Sequence, residues 1–141
     1  MIYPYKGYNT DSKKWIYGEL EILVNQKDLT SEYYIINEKE RIKIPKDNIC
    51  KLTVLKSKDD VPVYENDIIS IILNESECKV FTVRIGKCTI NIENEDINIY
   101  GLFLKDCEGK DFVFSDTITN NPSLVEIIGN TIDVVEKSEE V

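Results

Sequence analysis

The sequence predicts a mainly β fold, a compact barrel or sandwich of about nine short strands with at most one or two short helices. Three observations predict it. Ile and Val supply 32 of the 141 residues, and β-branched side chains pack well on a pleated sheet but lose rotamer freedom in a helix. Alanine, the strongest helix former, is absent. Short apolar runs also recur along the chain, separated by Asn, Asp, Gly and Pro, which is the punctuation of small β domains.

The elements follow in order. Trp15 to Val24 reads as a strand, with Leu20, Ile22 and Val24 on one face and Glu19 and Glu21 on the other. Tyr33 to Ile36 is the second. Arg41 to Ile44 is short and stops at Pro45, which cannot donate to a ladder. Leu52 to Leu55 follows. Ile68 to Leu73 is nearly continuous in apolar residues and reads as a central strand covered on both faces. Lys79 to Ile85 and Cys88 to Ile92 alternate cleanly. Ile97 to Leu104 is apolar on both faces around Gly101. It pairs as a hairpin with Asp111 to Phe114, through the turn Cys107-Glu108-Gly109-Lys110. Residues 121–128 admit two readings. Asn121 as cap, Pro122 at the first helical position and Gly129 as stop spell a helix. Val125 to Ile128 followed by a Gly129-Asn130 turn spells a strand.

Residues 1–135 read as one β-rich domain, and 136–141 as an acidic tail. The length suffices for a core without disulfides or a structural metal. No charged start followed by an apolar run is visible, and no apolar stretch approaches the roughly 20 residues of a membrane span. A soluble, cytoplasmic protein is therefore expected. Cys50, Cys78, Cys88 and Cys107 form no C-x-x-C pair, so they are expected as small core hydrophobes.

The formal net charge is −9 and histidine is absent. Ser-His-Asp and Cys-His catalysis are excluded, as are zinc or haem sites held by His. None of the six glycines falls into G-x-G-x-x-G or a P-loop. No catalytic residue, no cofactor and no metal site is expected. A net-acidic chain is a poor binder of phosphate backbones, so direct nucleic-acid reading is not expected either. Arg41, Lys43 and Lys46 form a small basic edge that serves equally to protect an edge strand.

Three segments carry a resemblance. The first is Lys6-Gly7, then Asp11 to Lys14, then Trp15-Ile16-Tyr17-Gly18, set beside "R-G-K … G-x-W-V-Y-G". The second runs from Leu55 through Asp59-Asp60 and Tyr64-Glu65-Asn66-Asp67 to Ile69, set beside "T-G-L-K-D-K-N-G-K-x-I-Y-E-G-D-I-V". The third is Val125 to Asn130, set beside a closing "E-V-I-G-N". Together they resemble the YopX family of bacteriophage and prophage proteins. Here Asn66 stands at the family's glycine before Asp, and Asn is the non-glycine residue that best tolerates the left-handed region. Thr53-Val54 replaces Thr-Gly. The resemblance implies a compact β-rich fold and a phage origin. It brings no defined activity, so no catalytic residue carries over.

The candidate binding residues are Trp15, Tyr17, Asp59, Asp60, Tyr64, Glu65, Asp67 and Arg84. Tyr64 to Asp67 reads as a loop whose carboxylates bind a partner or a cation, or as a turn in which Asp67 accepts backbone N–H groups. Trp15 and Tyr17 share one strand face and either stack a planar ligand or cover the core edge. Glu93 to Asp96 reads as an acidic hairpin tip. The expected function is non-enzymatic: a phage or prophage accessory protein whose acidic surface binds a basic patch of a host or phage protein. The alternative is a protein that sequesters a nucleotide signal of host defence, using the aromatic supply and Arg84. A homo-oligomer is compatible with either.

Overall fold

A computed structural model describes residues 2–113 and 116–133 of the chain. The acidic tail expected over 136–141 lies outside the described residues, as does Phe114 at the end of the last expected hairpin. The chain is mainly β, with two antiparallel sheets. It divides into two compact units, one on Met1–Leu52 and one on Thr53–Val134, within the stretch that the sequence reading took as one domain.

The first unit contains β1 (Tyr5–Asn9), β2 (Lys14–Asn25), β3 (Thr30–Ile36) and β4 (Arg41–Lys43), and then the start of β5 (Ile49–Lys56). The order is β4-β3-β2-β1-β5. Its turns are built by short polar side chains: Asn9 Oδ1 accepts from the Asp11 amide, Asn25 Oδ1 from Lys27, and Asp28 from Thr30. These are Asx turns, which free backbone amides find when the ladder ends. Ile35, Ile44 and Cys50 are fully buried. Gly7 faces this cluster at close range, for a Cβ there would sit 3.0 Å from both Ile35 and Ile44.

The apolar face of β2 is not a core face along its whole length: Ile22 and Val24 are exposed. β1 pairs with β2 as far as Gly18, so Glu19–Asn25 has β3 as its sole described partner strand, and among the described residues the apolar face is covered only at its start, where Leu20 is half-buried. β4 is an edge strand, and its cations are spent locally. Arg41 lies 2.6 Å from Glu21 Oε1 and stacks over Tyr34, and Lys43 lies 3.3 Å from Glu32.

The second unit holds the rest of β5, β6 (Pro62–Tyr64), β7 (Asp67–Asn74), β8 (Glu77–Ile92), β9 (Glu95–Asp106), β10 (Asp111–Phe112), the short helix α1 (Asp116–Asn120) and β11 (Val125–Asn130). Its sheet runs β10-β9-β8-β7-β11. Among the described residues it is open at β10 and β11 and does not close into a barrel. Leu55, Val63, Ile69, Ile71, Phe81, Val83, Leu104 and Val125 form one buried cluster, with Phe112 and Ile127 packed against it. Phe81 and Phe112 meet edge to face at 5.7 Å between centroids, the arrangement ring quadrupoles favour.

Three expectations are corrected here. β7 is an interior strand but is not fully covered on both faces: Ile69 and Ile71 are buried, whereas on the other face Ile68 and Ser70 are half-buried and Ile72 is exposed. The described strands number eleven, because β1, β6 and β11 were not counted while residues 79–85 and 88–92 merge into the single strand β8. Between the two readings of residues 121–128, Pro122–Leu124 forms one 3-10 turn and Val125–Asn130 is a strand. Gly129 and Asn130 are not a turn but continue β11, opposite Ile68 and Asp67, after a register shift at Ile128.

Candidate functional site

The Tyr64–Asp67 segment is a tight, hydrogen-bonded corner between β6 and β7. Asn66 holds φ 70°, so Asn supplies the left-handed residue the turn needs. Asp67 is 1% exposed. Its Oδ2 accepts from the Tyr64 amide at 2.8 Å, and its Oδ1 accepts from Asn130 Nδ2 at 2.9 Å. Asn130 Oδ1 in turn accepts the Ile132 amide. The Asn66 amide donates to the Val83 carbonyl, and the Asn66 carbonyl accepts from Thr131. Arg84 donates from Nη1 to Asn66 Oδ1 at 2.7 Å. A buried carboxylate is tolerated when its lone pairs are filled in this way.

The structure thus brings together Tyr64, Asp67 and Arg84 of the candidate residues, through Asn66 and Asn130. The bulge at Ile128 resets the register so that Asn130 comes opposite Asp67. Tyr64 and Asp67 are buried, and Glu65 is half-buried. The corner ties β6, β7, β8 and β11 together, and its Asp67 carboxylate faces these partners rather than solvent.

Asp59 and Asp60 lie elsewhere, on the exposed turn between β5 and β6, with φ 65° and 57°. Ser57 closes this turn from both its amide and its hydroxyl onto the Val61 carbonyl. Two consecutive left-handed residues suit a tight hairpin, and short Asp side chains tolerate that region.

Trp15 and Tyr17 belong to the first unit. They share a face with Lys6 and Tyr8, which stand opposite Tyr17 and Trp15 in the β1–β2 register. The Tyr8 and Trp15 rings meet edge to face at 5.3 Å. The Lys6 ammonium, on a residue only 7% exposed, lies 4.5 Å from the Trp15 ring centroid. That is a cation–π contact largely shielded from water, where such contacts are strongest. A shallow cleft of about 270 Å³ beside Trp15 and Tyr17 is walled by Glu38, Lys39 and Glu40. Tyr3 donates its hydroxyl to Glu38. Among the described lining residues the cation Lys39 is outnumbered by carboxylates, which disfavours phosphate.

Cys50 and Cys88 are buried as expected, whereas Cys78 and Cys107 are exposed. Burial, and then the charge of Asp111, push the Cys88 thiol up from its ordinary value. Among the described residues no three Cys, Asp or Glu side chains converge into a metal-holding group.

Sequence reasoning missed Lys6, Asn130 and the outer β8–β9 hairpin. Asn130 stood in the quoted closing motif, but nothing in the sequence said it would meet Asp67. The alternation over residues 88–92 was visible. That β8 and β9 outrun their neighbours was not, because strand length is set by pairing partners far away in the chain. No family model and no curated protein matches the chain.

Proposed function

We propose that this chain is a non-enzymatic accessory protein of phage or prophage origin, which acts in the host bacterial cytoplasm by binding a basic surface of a host or phage protein. The observation that carries this reading is where its charge stands. The net charge of −9 is displayed at hairpin turns: Asp59 and Asp60, Glu75 and Glu77, and Glu93 to Asp96 are all exposed. Charges on projecting turns meet a partner first, so they govern encounter rate and partner choice. By contrast, the cations of the β4 edge are paired with Glu21 and Glu32.

The test is capture from bacterial lysate at low salt, with the wild-type chain beside a variant carrying Lys at Asp59, Asp60, Glu93 and Glu95. The reading requires a protein retained by the wild type and lost with the variant. Equal retention, or none by the wild type, overturns it. Nucleotide sequestration is a second reading, supported by the Trp15 and Tyr17 rings. The acidic wall beside those rings weighs against it. A thermal-shift screen with mono-, di- and cyclic nucleotides separates the two.

A further inference from the structure

The outer β8–β9 hairpin is a two-stranded arm. β7 pairs with β8 up to Thr82, and β10 pairs with β9 at Leu104 and Lys105. From Lys87 to Ile92 and from Glu95 to Tyr100 the strands pair with each other alone among the described residues. A lone two-stranded ribbon is marginal in water, and among the described residues both its edges offer unpaired backbone groups.

The arm has two distinct faces. Cys88, Ile90 and Ile92 lie opposite Ile99, Ile97 and Glu95. On the other face Thr89 donates to Asn98 at 2.7 Å and Asn91 to Asp96 at 3.1 Å. The root of the apolar face is covered, since Cys88 is buried, but Ile92 is 49% and Ile97 is 37% exposed. Tyr100, on the polar face, is 82% exposed. At the tip Glu93 and Asn94 hold φ 53° and 67°, a two-residue turn flanked by Glu95 and Asp96. A cleft of about 580 Å³ runs between Thr89–Ile92 of the arm and Lys110–Val113.

The geometry points to the outer arm as the place where an extended, lysine-bearing aliphatic segment of a partner protein docks. This rests on the reading above that the partner is basic. An open edge supplies main-chain hydrogen bonds to an added strand. Ile92 and Ile97 take its aliphatic side chains, and Glu93, Glu95 and Asp96 take its cations. Charge complementarity selects this occupant over a second copy. Two arms laid tip against tip set these carboxylates against their own copies, and like charges there are costly.

The test uses the full chain and a fluorescein-labelled seven-residue peptide alternating Lys and Val, with a Glu-for-Lys counterpart, read by anisotropy at low salt. The lysine peptide binds, and the glutamate peptide binds at least about tenfold more weakly. The pair Glu93→Lys and Glu95→Lys weakens the lysine peptide by about tenfold. The pair Asp11→Lys and Asp47→Lys, exposed residues outside those acidic turns and with the same change in net charge, stays within about twofold. Ile92→Ser with Ile97→Ser, which leaves every charge in place, weakens it by about fivefold. Circular dichroism verifies the fold of each variant. Equal losses for the two lysine pairs, or equal binding of both peptides, overturn the proposal. So does a wild-type dimer that the serine pair dissociates, which makes a second copy the occupant. If lysate capture is retained in full by the Glu93→Lys, Glu95→Lys variant, the arm is wrong while partner binding stands. If the wild type captures nothing, the functional reading itself fails.

Discussion

Asn130 donates its side-chain amide to the buried Asp67 carboxylate across 2.9 Å, tying the end of β11 to the start of β7. Asp67 also holds the Tyr64 amide, so one side chain orders the corner and the sheet edge together. Asn130→Ala withdraws a donor from a carboxylate that water cannot reach. The expected loss is about 1–3 kcal/mol, read as a lower urea midpoint with an unchanged slope. A midpoint equal to wild type contradicts this role.

Gly86 stands opposite Gly101 across the β8–β9 ladder, with φ 151° and 159°. Nothing lies within 4 Å of a Cβ built at either position, so space is not the constraint. The backbone is, since L residues rarely adopt that region. Gly86→Ala and Gly101→Ala are each expected to cost about 1–3 kcal/mol. Gly129→Ala, at ordinary φ with its nearest neighbour 3.9 Å away, is expected to change stability by less than about 0.5 kcal/mol. Denaturation of the three variants side by side checks the ranking.

Gly18 is limited by space instead. A Cβ there runs into the Ile36 carbonyl oxygen, which is backbone and cannot swing aside. Gly18→Ala is therefore expected to perturb the β2–β3 ladder itself. Amide exchange of β2 and β3 should quicken while that of β7 and β8 stays slow. Unchanged protection of β2 and β3 contradicts the packing argument.

Asp106 contributes to the acid limb. The amides of Lys110 and Glu108, together with nearby Lys79, hold its carboxyl below the usual range. A depressed folded value contributes stability above the unfolded value of about 3.9, and that contribution is lost as pH falls through the folded value. Asp106→Asn is expected to lose less stability than wild type between about pH 4 and the acid end. Parallel losses in denaturation series across that window argue against it.

Much of the fold was legible because period-2 alternation survives in strands with one buried face. Phe81, Val83 and Leu104 fell where the pattern put them. Two kinds of feature were not legible. Tyr5–Asn9 carries no aliphatic alternation, so β1 left no signature, although it pairs with both β2 and β5. Ile22 and Val24 alternate as core residues do, yet they are exposed among the described residues, because a pattern records which face is apolar and not whether anything packs on it. The same blindness hid the arm. At the candidate site, Asn66 and Asp67 were readable as turn chemistry, but Arg84 and Asn130 arrive from 18 and 63 residues away.

The thiols report on the arm root. Cys78 and Cys107 are exposed, while Cys50 and Cys88 are buried, and the raised Cys88 value lowers its thiolate fraction further. A native-state titration with a disulfide reagent should show two fast thiols and two slow ones. Cys88→Ser should remove one slow equivalent. Loss of a fast equivalent means that the arm root is open.

The central claim is that acidic turns bind a basic partner, and a salt series tests it most directly. Capture from host lysate by the full wild-type chain should be strong at about 50 mM salt and fall steeply by about 500 mM, as screening shortens the reach of exposed charges. Retention that is the same at both ends of the series contradicts the account.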